Sequence, residues 1–129
     1  MAASSVTTTI AGQLSTRRDV MSVASGESNV VAVDTTSTKL DQVIIDNSAG
    51  TAQVYLRIWA LASGSVSLGS SAPIFILTAG AGESVEYSFA PAPVVETALS
   101  AQLVQTSGYD ASGTAVTWAV TITFLTHDS

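Results

Sequence analysis

The run from Thr114 to Leu125 constrains this chain more than any other segment. Val116, Trp118, Val120, Ile122 and Phe124 share one parity, and Thr117, Ala119, Thr121 and Thr123 share the other. Successive side chains point to opposite faces of a strand, so a period of two predicts an antiparallel strand with one face in a core and one in water. Shorter runs repeat the signal at Val30 to Val33, Asp41 to Asp46, Ala52 to Leu61, Pro73 to Thr78, Ser84 to Phe89 and Leu99 to Thr106. Between them lie Asn47-Ser48-Ala49-Gly50, Ser63-Gly64-Ser65, Gly80-Ala81-Gly82, Pro91-Ala92-Pro93 and Asp110-Ala111-Ser112-Gly113. Gly supplies positive φ there, and Asn, Asp and Ser close local turns on the backbone. Strands and turns alternating at roughly ten-residue spacing predict an all-β chain, an antiparallel β-sandwich of jelly-roll-like form.

Composition excludes the competing classes. Charged residues are 11% of the 129 and hydrophobic residues 47%, against about 25% charge in ordinary domains. A helical bundle would need more Glu, Lys and Arg on its wet faces. A disordered chain would carry less Val, Ile and Leu. Polarity comes instead from 19 Ser and 16 Thr. Four basic residues against ten acids, net charge −6, argue against a nucleic-acid partner held by charge. There is no cysteine, so disulfides and thiolate-held metals are excluded. The opening MAASSVTTTIAGQLSTRR lacks the basic and apolar regions of a secretory signal, and Pro73 to Leu77 is far short of a membrane span. The expectation is one soluble domain, made in the cytoplasm, with no membrane partner.

Residues 1–28 read differently from residues 29–129. Val6, Ile10, Leu14, Val20, Met21 and Val23 are scattered among Ser, Thr and Ala, and Arg17 and Arg18 are half of the chain's basic residues. Gly12 and the Thr7-Thr8-Thr9 run oppose a helix. The segment is predicted to be an extended N-terminal arm with one short strand around Arg18 to Val23. As an assembly element it would lie on another subunit, where Arg17 and Arg18 meet acids.

No constellation predicts catalysis. His127, the only histidine, reads as a solvated tail residue with no partner to orient it. Glu83 and Glu86 fall on opposite faces of a strand and read as charges that discourage edge pairing. Asp41, Asp46 and Asp110 sit at strand ends or turns without the spacing of a calcium loop. Neither a metal nor a cofactor is expected. Trp118 falls on the apolar parity and is expected in the core. Tyr55, Arg57 and Trp59 share a face that is open to three readings: core, a subunit contact, or a ligand platform. Tyr, Arg and Trp are the residues that dominate interfaces. Together with Arg17 and Arg18 they form the candidate subunit interface.

The stretch VYLRIWALASGSVSLGSSAPIFILTAGAGESVEYSF, Val54 to Phe89, joins a Tyr-Leu-Arg-Ile-Trp strand, a Gly/Ser loop, a Pro-led strand and an alternating aromatic strand. With Leu99 to Thr106, the Asp110 to Thr114 turn and the final Val-Thr-Ile-Thr-Phe run, it resembles small β-sandwich virion proteins of tailed bacteriophages, the capsid decoration or cement type. The resemblance covers residues 40–125. It implies no enzyme activity, a homo-oligomer with a trimer favoured, the major capsid protein lattice as partner, and a place on the capsid surface. A carbohydrate-binding or receptor-binding β-sandwich is the alternative.

Overall fold

The computed structural model describes residues 3–9, 17–95, 97–109 and 112–128. Alternation in sequence becomes alternation in burial. In β10 (Val120–Asp128), Val120, Ile122, Phe124 and Thr126 are buried while their neighbours face outward. The other strands are β1 (Ser4–Thr9), β2 (Arg17–Val23), β3 (Val31–Asp34), β4 (Thr38–Asp46), β5 (Val54–Trp59), β6 (Phe75–Ala79), β7 (Ser84–Ser88), β8 (Val94–Val95) and β9 (Leu99–Val104). The only helical element among the described residues is a 3-10 turn at Ser63–Ser65.

The strands form two antiparallel sheets. Sheet A has the order β1-β2-β10-β4-β7, with β8 also on β4, and sheet B has the order β3-β9-β5-β6. Setting β1 and β8 aside, the antiparallel pairs β2·β10, β3·β9, β4·β7 and β5·β6 join the first strand to the eighth, the second to the seventh, the third to the sixth and the fourth to the fifth. That nesting is one long hairpin rolled into two sheets, the jelly roll. The core between them is built from Met21, Val43, Ile45, Ile122 and Phe124 of sheet A and Leu56, Ile58, Leu77, Leu99 and Leu103 of sheet B.

The N-terminal expectation needs correction. Residues 17–23 are no arm: β2 lies inside sheet A between β1 and β10, and Met21 and Val23 are buried in the chain's own core. β1 continues the sheet beyond β2. Asn29 holds it to the start of sheet B, its Oδ1 accepting from the Ala3 N–H at 2.9 Å. Two core residues spaced by one, Met21 and Val23, are enough to seat a strand. No domain boundary separates residue 28 from residue 29. The predicted positions Ile10, Leu14 and Gly12 lie outside the described residues, as does Asp110.

Two β-bulges interrupt the ladders. In the β10·β4 pairing, Leu125 faces Gln42 and Thr126 faces Leu40, so Asp41 is the extra residue. In the β3·β9 pairing, Ala32 faces Ser100 and Asp34 faces Leu99, so Val33 is the extra residue. An extra residue leaves the ladder and re-aims its polar groups.

Candidate functional site

β5 places Val54, Leu56 and Ile58 in the core. Tyr55, Arg57 and Trp59 therefore point to the outer face of sheet B, as their shared parity predicted. Arg57 and Trp59 are not open to a subunit contact there, because the chain covers them itself. Trp59 is buried beneath the β5–β6 loop, and its Nε1–H donates to the Ser71 carbonyl at 2.9 Å. The Ser100 hydroxyl ties the same loop to β9 by donating to the Leu61 carbonyl at 2.8 Å. Arg57 is also fully buried. Its Nε–H donates to the Gly108 carbonyl at 3.0 Å, and one terminal nitrogen reaches Gln102 Oε1 at 3.0 Å and the Ser112 carbonyl at 3.3 Å. Gln102 donates in turn to the Ser28 and Ser112 carbonyls at 2.7 and 2.8 Å. The backbone runs close over Val104 at Gly113, where φ is +95° and a Cβ would collide with the Val104 side chain. Tyr55 is half-buried. The interface reading of Arg57 and Trp59 is thus overturned, because Ser71, Gly108 and Ser112 supply the contacts that a neighbour would have made.

Arg17 is likewise committed within the chain. Its Nε lies 3.0 Å from Asp19 Oδ2 on its own strand. Its NH1 lies 2.8 Å from Asp34 Oδ2 on β3, and its NH2 donates to the Val33 carbonyl at 3.2 Å, the group turned out by the bulge. The Thr7 hydroxyl of β1 donates to Asp19 Oδ1. One guanidinium therefore fastens sheet A to sheet B at the β1/β3 side. Burial pushes the Asp19 carboxyl above the ordinary carboxylate range, against the pull of Thr7 and Arg17. The partner Asp34 escaped sequence reading, since nothing in the spacing pairs Arg17 with a residue on the opposite sheet.

His127 is not a frayed tail residue. It is in β10 opposite Lys39, and its Nδ1 lies 2.8 Å from Asp41 Oδ2, the carboxylate of the bulged residue. Trp118 is half-buried in the segment before β10, packed on the core rather than within it. Its Nε1–H donates to Asn47 Oδ1 at 2.7 Å. Asn47 is wholly buried and donates to the Ala52 and Gly80 carbonyls at 3.1 and 2.9 Å, holding three loops together. Among the described residues no three His, Asp or Glu side chains are placed to share a metal ion.

The outer face of sheet A is different, because neither long loop covers it. The strand registers set Val6, Val20, Thr123, Ile44 and Glu86 in one row across five strands. A second row holds Arg18, Leu125, Gln42 and Ser88, and a third holds Ser4, Ser22, Thr121, Asp46 and Ser84. Arg18, the remaining predicted interface residue, is exposed on this face. Val6 is 64% exposed, and Val20, Ile44 and Leu125 are partly so. What the face offers is a broad, weakly charged contact surface. No protein-family model matches the chain, and no curated protein matches it in sequence.

Proposed function

We propose that this chain is a non-enzymatic structural protein of a phage virion, a capsid decoration protein that sets the outer face of sheet A on the capsid lattice as part of an oligomer. The observation that carries the reading is the contrast between the two sheets. Two loops bury Arg57, Trp59, Ser100 and Gln102 on β5 and β9 of sheet B, while in the central Val6, Val20, Thr123, Ile44 row of sheet A, Val6 is exposed and the others are half-buried. Contact surfaces bury a centre depleted of charge and keep polar groups at the rim. The rows of Ser, Gln, Arg18 and Asp46 supply that rim. The jelly roll adds support by analogy of fold alone, since it serves in both capsid and lectin domains. The carbohydrate alternative loses its clearest platform, because Trp59 is buried with its N–H committed to Ser71.

The test is sedimentation with shells assembled from the major capsid protein encoded in the same genome. Saturable binding is expected, and Ile44→Glu should weaken it at least about tenfold by burying an unpaired charge at the contact centre. Tyr109→Ser, on a loop over the other sheet, should leave it unchanged. Absence of binding, or binding indifferent to Ile44→Glu, overturns the proposal.

A further inference from the structure

The four sheet edges are not equally protected. The β1 and β3 edges lie together and are stitched by side chains: Asn29 to Ala3, the Ser5 hydroxyl to the Ala32 carbonyl at 3.1 Å, and Arg17 to Asp34. The β7 edge carries the exposed Glu86, with Glu83 exposed in the turn before it. The β6 edge carries no charge, and its side-chain stitch is confined to one end, where the Tyr87 hydroxyl meets Thr78. No charged residue occurs between Arg57 and Glu83, and Ile74, Ile76 and Leu68 in this stretch are 43%, 37% and 38% exposed. The backbone of β6 shows which groups are open. Thr78 turns its N–H and C=O away from β5, for both meet the Tyr87 hydroxyl, at 3.2 and 2.5 Å. Alternation along an antiparallel strand gives Ile76 the same outward direction. Ile74 turns inward again, its N–H donating to the Ile58 carbonyl at 2.7 Å. Ile76 thus presents one outward donor and one outward acceptor, and no loop or side-chain partner among the described residues meets them.

We propose that two copies of this chain pair through β6, antiparallel about a twofold axis at Ile76, so that their four-stranded sheets join into one of eight. A single donor–acceptor pair is self-complementary under a twofold: the N–H of each Ile76 meets the C=O of the other. Charge selects a second copy as the occupant. Each chain carries a net −6, and contacts through β7 or sheet A would bring Glu83, Glu86 or Asp46 of two copies together. The β6 edge is where two such chains approach without like charges meeting. Ile74, two residues from the axis, loses water on pairing. The proposal stands apart from the virion reading, since the pair forms in solution without a lattice.

Light scattering after size exclusion, across a wide concentration range, should show a species of twice the 13.1 kDa chain mass. Ile76→Lys puts like charges across the axis and should raise the dimer dissociation constant at least about tenfold. Circular dichroism would confirm that the variant folds. A second measurement uses the absence of native cysteine: Ile76→Cys should oxidise to a covalent dimer, and Val6→Cys, on the distant β1, should not. A chain that stays monomeric, a trimer, or a dimer unaffected by Ile76→Lys and not trapped by Ile76→Cys overturns the proposal. Capture of another protein's strand at β6 with no self-association also overturns it.

Discussion

Arg57 and Arg17 are two guanidiniums devoted to holding the chain together. Arg57 supports the loop after β9 by donating to the Gly108 and Ser112 carbonyls and to Oε1 of the buried Gln102. Arg57→Leu keeps the bulk and removes those bonds, so it should destabilise the chain by at least about 2 kcal/mol, the cost of a buried polar group left unmet. Urea melts would show it, and limited proteolysis should cut within 105–113 before anywhere else. Asp19 gives a prediction with a sign. Its carboxyl is pushed up by burial, so the folded chain holds this proton more tightly than the unfolded one. Asp19 therefore adds stability below the ordinary carboxylate range and gives it up as pH rises through its raised value. Asp19→Asn has no proton to lose. The melting temperature of the variant relative to the parent should climb from acid to neutral pH. A difference that stays flat or falls would refute the burial argument. Asp46, held below the ordinary range by bonds from Ser48, acts with the opposite sign: its contribution is present at neutral pH and fades on acidification.

At the scale of the element, β10 tests how far parity decides cost. Phe124→Ala empties a fully buried site and should cost about 3–5 kcal/mol. Thr121→Ala on the exposed outer face should cost under about 0.5 kcal/mol. Denaturant melts of both variants compare the two faces of one strand, and equal costs would mean that sheet A is covered on both sides. This parity was legible in the sequence because it depends only on neighbours two residues apart. The outward face of Tyr55, Arg57 and Trp59 was legible for the same reason, while its fate under the chain's own loops was not. That fate depends on Gly108, Ser112 and Ser71 folding back over β5, which no local pattern records. The bulges were hidden likewise. Asp41 finds His127 across 86 positions of sequence, and only the register of two paired strands brings them together. β2 was read as part of an arm because Met21 and Val23 are too few to make a dense apolar pattern. Being central, β2 gains ladder bonds on both sides and needs few core side chains to hold it.

Across the whole molecule, the nested pairing also sets an order of events. β10 lies between β2 and β4 in sheet A. Met21 faces Ile122 and Ile45 faces it from the other side, so the two flanking strands wait, unpaired along these edges, until the last described strand exists. Pairings this distant along the chain place it among the slow folders, whose loop-closure entropy is lost before the contacts that offset it are made. During synthesis the β4·β7 and β5·β6 hairpins have all their residues first and can form early. The β2 and β4 edges meanwhile stand bare toward the place β10 will take. A nascent chain halted before Val120 therefore exposes two strand edges beside an apolar face, the condition under which polypeptides adhere to one another.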